Sequence, residues 1–263
     1  MRSRLGIVLV VGLLLGFLSS CGSEPEKLTQ ETLFPRLAKA QAKAGTSHLR
    51  MTVTAPNGQR FVSSGQIKLG KRPEDTAMAV TIEGSDTGGL GTIEIRLVDR
   101  VFYVLLGALT QNKFAKIDLA DKSNPVARQY GDLIKNVDPA RQVQQYKDAI
   151  TKFDATGEPV EIDGVQAQPY KMTIDPSRVV ELKQLDQGSL PESINITLYV
   201  GPDDLPRRMV SLVPLQQGEP SKMQMDYSKW GEKVTISAPS KARITEDSLL
   251  DRIGQPGATP TAP

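Results

Sequence analysis

From His48 the chain alternates. In His48-Leu49-Arg50-Met51-Thr52-Val53-Thr54-Ala55 every second residue is apolar, the period of a strand with one buried and one wet face. Pro56-Asn57-Gly58 turns the chain, and residues 61–69 read as the return strand. A turn at 70–75 precedes Met78, Val80 and Ile82, with threonine and alanine between them. A glycine-rich connection at 84–91 leads to Ile93, Ile95 and Leu97, alternating with Glu94 and Arg96. Asp99-Arg100 turns into residues 101–106, apolar on both faces, and residues 114–119 alternate again. This half predicts an antiparallel meander with one wet face.

A second β-rich half follows. Residues 160–165 enter a tight Asp163-Gly164 turn and residues 169–174 leave it. Residues 194–200, a turn at 201–204, residues 205–213 and residues 223–227 continue the pattern, and Lys233-Val234-Thr235-Ile236-Ser237 reads as a last strand closing the sheet. Elsewhere the period lengthens to three or four. Leu33, Leu37, Ala40 and Ala44 predict a helix over about 32–44, with Thr32 capping it, Pro35 in its first turn and Gly45 after its end. Asn124-Pro125 opens a helix through about Lys135. Asp138-Pro139 opens another with the stripe Val143, Tyr146, Ile150, and Asp175-Pro176 a third with Val179, Leu182 and Leu185.

About ten strands with one apolar face make a sheet roughly 48 Å wide at about 4.8 Å per strand. Three or four helices, each about 10 Å across, cover only roughly 30 to 40 Å of it. The sheet must curl, and the pattern leans toward an α+β fold: a strongly curved antiparallel sheet wrapped around helices, with an apolar cavity between.

The N-terminus changes the picture. Arg2 and Arg4 precede an apolar run at 5–18 that ends in Leu18-Ser19-Ser20-Cys21. As a helix the run spans roughly 21 Å, short of a bilayer core of about 30 Å, so it reads as a cleaved signal rather than a membrane span. Leu-Ser-Ser-Cys matches the bacterial lipobox, in which the cysteine thiol receives a diacylglycerol and becomes the mature N-terminus. Two acyl chains anchor stably where one is marginal. The expected organisation is a lipoprotein signal peptide at 1–20, a lipidated N-terminus and tether at 21–27, one domain at 28–250 and a disordered tail at 251–263. The expected location is the outer face of the bacterial cell membrane.

Cys21 is the only cysteine. Once lipidated, it leaves the mature chain without a thiol for a disulfide, a zinc site or a nucleophile. Loss of residues 1–20 removes two of the 32 Lys+Arg and none of the 30 Asp+Glu, leaving formal neutrality. A neutral chain offers no electrostatic footprint for nucleic acid. Aromatic content of 5% argues against a base-stacking or sugar-stacking platform.

Catalytic patterns are equally thin. A Ser-His-Asp device would need His48, the only histidine, and its alternation with Arg50, Thr52 and Thr54 points it to the wet face. No Gly-x-Ser-x-Gly elbow occurs, and the glycines of 84–91 lack the Gly-Lys-Ser/Thr ending of a phosphate loop. The acid pairs Glu74-Asp75 and Asp203-Asp204 sit in turns without the alternating acids of a calcium loop. Neither an enzyme, a metal nor a cofactor is expected.

Several segments occur in a familiar order. After the lipobox and first helix come Gln66-Ile67-Lys68-Leu69 and Val98-Asp99-Arg100-Val101-Phe102-Tyr103-Val104. Later come Gly157-Glu158-Pro159-Val160-Glu161-Ile162-Asp163-Gly164 and Tyr227-Ser228-Lys229-Trp230-Gly231-Glu232-Lys233, continuing to Pro239. Over about 46–246 the chain resembles the actinobacterial LppX/LprG lipoproteins. The resemblance implies a half-barrel similar to the LolA and LolB carriers, with helices in its concavity and an acyl-binding cavity. The implied function is binding and carrying or presenting lipid or glycolipid acyl chains, with a transporter or envelope protein as a further partner. The rival reading is a cell-envelope sensor or protein-interaction module on the same half-barrel.

Five methionines, Met51, Met78, Met209, Met223 and Met225, fall within strands. Methionine suits surfaces that fit varied apolar partners and equally fills ordinary core gaps. The candidate lining is the apolar parity of the strands: Leu49, Met51 and Val53; Met78, Val80 and Ile82; Ile93, Ile95 and Leu97; then Ile194, Ile196, Leu198, Met223 and Met225. Some of these belong to plain core, and alternation alone does not separate the two groups.

Overall fold

In the computed structural model the described residues are 27–82, 91–121, 123–124, 127, 147–179, 191–213 and 220–245. The signal, Cys21, nearly all of the tether, the C-terminal tail and most of the residues expected as central helices lie outside them.

Helix α1 (Gln30–Ala44) starts two residues earlier than its apolar spacing suggests. Thr29, not Thr32, is its N-cap, and Thr32 Oγ1 accepts from the Thr29 backbone N–H at 3.0 Å. This reach back from the third helical position satisfies a donor left free at the cap. Pro35 therefore lies inside the helix rather than in its first turn. Gly45 ends it in the left-handed region at φ 73°, donating to Gln41 O at 2.8 Å.

Twelve strands follow: β1 (Thr46–Thr54), β2 (Arg60–Lys68), β3 (Ala77–Ile82), β4 (Ile93–Val98), β5 (Val101–Leu106), β6 (Ala115–Asp118), β7 (Ile150–Asp154), β8 (Val160–Ile162), β9 (Val165–Ile174), β10 (Ile194–Val200), β11 (Pro206–Val213) and β12 (Ser221–Ser228). They form one curved, open antiparallel sheet in the order β6-β5-β4-β3-β2-β1-β12-β11-β10-β9-β7, with β8 paired to β9 off that path. The fold is an α+β half-barrel. The meander halves meet where β1 pairs with β12. The turns match their chemistry: Asp99-Arg100 and Asp163-Gly164 both have positive φ at each central residue, as two-residue hairpins with right-handed twist require. Gly65 admits a close approach between β2 and β3. A Cβ there would lie 2.5 Å from the Ala79 carbonyl oxygen and 2.9 Å from Val80 Cγ2.

Three expectations need correction. Ile150, read as the last residue of a helical stripe, begins β7. The Asp175-Pro176 signal opens a three-residue 3-10 turn, Pro176–Arg178, with Asp175 accepting from the Ser177 N–H, and Val179 after it is extended; Leu182 and Leu185 lie outside the described residues. The stretch 233–237 is not a strand. It belongs to an extended strap whose Val234 and Ile236 are half-buried between exposed neighbours. Alternation reports one covered side, and here the cover comes from lying across a sheet, not from joining its ladder.

The strap runs along the outer face. Thr46 Oγ1 donates to Glu232 O (2.7 Å) and Arg96 Nη1 to Ser237 O (3.0 Å), while before the strap Trp230 stacks on Tyr227 at the sheet's end and donates Nε1–H to Pro206 O (2.9 Å). Phe114 N–H donates to Arg243 O and Thr245 N–H to Phe114 O. Phe114 is fully buried there with Tyr103 and Leu105, and the guanidinium groups of Arg96 and Arg243 lie 5.2 and 5.0 Å from its ring centre.

Candidate functional site

The register assigns every candidate residue to one face, because directly paired residues project to the same side of a sheet. One rung crosses nine strands from β9 to β5: Tyr170, Leu198, Met209, Met225, Met51, Ser63, Ile82, Ile93, Leu106. On one side lies the rung Tyr227, Leu49, Gly65, Val80, Ile95, Val104, Ala115. Beyond it comes Ser47, Ile67, Met78, Leu97, Phe102, Ile117. On the other side lies Phe153, Met172, Ile196, Ser211, Met223, Val53, Phe61. Ile194 sits between Ile174 and its own strand neighbours at the margin. No charged side chain occurs in these rungs.

Helix α1 lies on this same, inner face. Leu33 and Leu37, both buried, pack with Tyr170, Met172, Ile174, Leu198 and Val200, and Ile196 and Met209 rest against them. The Tyr170 hydroxyl accepts from the Leu28 N–H at 3.0 Å, and Arg36 Nε donates to Asp204 Oδ2 at 2.9 Å, fixing both ends of the contact. A second cluster, Leu97, Ile117, Leu119 and Ala127, buries the far side with Met78 and Phe102 against it.

Burial now divides the candidates. Leu97 and Leu198 are core, 3% and 8% exposed, and Met78 and Ile196 pack against core. Leu49, Met51, Val53, Val80, Ile82, Ile93, Ile95, Ile194, Met223 and Met225 are half-buried and join none of the clusters that the described residues form. All but Ile194, which begins β10, lie on β12 and β1 to β4, the strands between the two clusters. An apolar wall is there, uncharged and only partly covered. Sequence reasoning missed Met209, Phe61, Val104 and Leu106 on it, and Tyr170 in the core beside it. Met209 and Phe61 show the right parity in sequence, but β5 is apolar on both faces and hides its inward side.

Away from the Phe114 cluster the outer face is largely polar. His48 lies there, opposite Gln66 and Ser228. Arg208 and Arg96 pair with Asp226 and Glu94, and Gln224 donates to Asp226. The carboxyls with shifted acidity are turn and cap groups: hydroxyls of Ser123, Thr156 and Ser177 hold Asp121, Asp154 and Asp175 below the usual range. Burial pushes the Tyr103 phenol up. None of these faces the inner wall. Among the described residues no group of three or more His, Cys, Asp or Glu could hold a metal, and no helix is long and apolar enough to cross a membrane.

No protein-family model and no curated protein sequence matches the chain. Solved structures do. The chain is similar to LprF from Mycobacterium bovis, with a TM-score of 0.53 and 16% identity over 80% of this chain and 96% of that one. It is also similar to the Mycobacterium tuberculosis lipoprotein LppX, with a TM-score of 0.51 and 14% identity over 80% of this chain and all of that one. The half-barrel is therefore the LppX/LprF-type fold.

Proposed function

We propose that this chain is a membrane-anchored extracytoplasmic lipoprotein that binds acyl chains of a lipid or glycolipid against its inner wall and carries or presents them. The observation that carries the reading is the uncharged, half-buried wall between two core clusters, continuous over the register from β11 to β4. A chain of roughly 16 carbons exposed to water loses about 12 kcal/mol at about 0.8 kcal/mol per methylene. A carrier must match the bilayer closely, which an uncharged wall does and a wet face does not. The paired methionines Met209, Met225 and Met51 add adaptable, polarizable contact. The lipobox supports the anchor, and the fold shared with a lipoprotein of known structure supports the location.

Organic-solvent extraction of the purified protein, followed by mass spectrometry, tests this. Protein made without the anchor brings no bilayer lipid into the extract, so extracted lipid is cargo. A near-stoichiometric lipid is expected. Protein that is consistently empty, and stays empty after incubation with vesicles, overturns the reading in favour of a sensor or protein-binding module.

A further inference from the structure

The sheet has two unlike ends. At one, α1 begins, with Gln30 Nε2 donating to Lys147 O, and the β1–β2 turn at 55–59, the β5–β6 connection and the start of β12 lie around it. At the other, α1 runs into β1 through Gly45. The acids of the turns there are largely paired: Glu74 and Asp75 with Arg72, Asp203 with Arg207 and Asp204 with Arg36.

Three observations converge on the first end. Arg60 and Lys222 both flank Thr54 on one outer rung, and Lys113 lies in the β5–β6 connection. All three are exposed, and none joins an ion pair among the described residues. Two exposed leucines accompany them, Leu109 (40%) in the same connection and Leu212 (42%) opposite Lys222. The chain also enters the domain here. From Cys21 to Lys27 is six residues, which reach at most about 21 Å fully extended.

We infer that this end is the membrane-docking end: Arg60, Lys113 and Lys222 meet anionic lipid headgroups while Leu109 and Leu212 reach into the interface, bringing the nearby margin of the inner wall to the bilayer. The inference rests on the anchor reading. Attraction to an anionic surface fades within about 10 Å at ordinary ionic strength, and the tether holds the basic rim to within about two such lengths of the surface. The short tether enters at this end and not at the other, which turns a tether into an orientation. A basic residue at such a surface contributes roughly fivefold to the ratio of docked to undocked protein. An acyl chain would then pass between Val53, Phe61, Met223 and Ile82, the apolar residues nearest that margin.

With Cys21 lipidated, a cysteine introduced by substitution is the only free thiol, so the full-length lipoprotein takes one label. Leu109→Cys and Glu161→Cys, each carrying an environment-sensitive fluorophore, are reconstituted into phosphatidylcholine vesicles with and without phosphatidylglycerol and with a bilayer-confined quencher. Strong quenching at Leu109, little at Glu161, and loss of the difference with Arg60→Glu/Lys222→Glu or without phosphatidylglycerol are expected. Equal quenching at both sites, stronger quenching at Glu161, or a difference indifferent to charge overturns the inference. The cargo reading is separable: an oriented protein that yields no extractable lipid refutes cargo and leaves the docking end standing.

Discussion

Ile95 and Leu97 are neighbours on the inner face of β4, yet they should answer a tryptophan differently. Leu97 is 3% exposed and enclosed by Ile117, Leu119, Ala127, Met78 and Phe102. An indole there has no room, and overpacking costs typically about 1–3 kcal/mol. At about 2–4 °C per kcal/mol for a domain of this size, Leu97→Trp should lower the melting temperature by about 2 to 12 °C. Ile95 stands opposite Val80 and Val104, half-buried and outside the core clusters. Ile95→Trp should stay within about 2 °C of the parent, because the ring extends into open wall. The same ring removes space from the ligand. If it displaces two or three methylenes at about 0.8 kcal/mol each, affinity falls by about 2 kcal/mol, roughly 30-fold. Thermal unfolding measures the first quantity, and titration with a fluorescent fatty acid the second. Should Ile95→Trp destabilise as much as Leu97→Trp and leave lipid affinity unchanged, Ile95 is packed core and the division of the inner face is wrong.

Other consequences are quicker to check. Cys21→Ala should leave the precursor unprocessed or the protein shed from membranes, and a variant that fractionates like the parent contradicts the lipobox reading. Gly65→Val should lose about 1–3 kcal/mol in chemical denaturation, since even its Cβ falls 2.5 Å from the Ala79 carbonyl oxygen; an unchanged midpoint would mean the strands separate freely. Arg96→Ala removes the bond to Ser237 O and the cation over Phe114, so limited proteolysis should cut within 232–245 sooner than in the parent while the sheet survives. Cleavage at the parental rate would mean the strap is held by its contacts with Thr46, Phe114 and Pro206.

Much of the fold is legible in the amino-acid order, for a physical reason. Alternation is a local signal, so Leu49, Met51 and Val53 declare their common side within a few residues. Turn chemistry is local too: Asp163-Gly164 names its hairpin, and Gly45 the end of α1. The illegible part is long-range. Nothing in the sequence separates Leu97 from Ile95, because burial depends on Ile117, Leu119 and Ala127 arriving from elsewhere. Met209, Met225 and Met51 line up only through pairings that span much of the chain. The strap reads as a strand for the same cause, since Val234 and Ile236 alternate as they would in a ladder and only the partner reveals the difference. Ile150 fits a helical stripe by spacing, yet its pairing with Ile174 makes it a strand.

The central claim is that an acyl chain lies on the inner face. A fatty acid carrying a photoreactive diazirine near its terminus, bound and irradiated, reports contact residue by residue through peptide mass spectrometry. Strand alternation makes the readout decisive, since each peptide holds both faces. The account predicts label on Met51, Met225, Val80 and Ile95 and none on their outward neighbours Thr52, Gln224, Thr81 and Arg96. Label spread equally over both sets, or concentrated on the outward set, would contradict it.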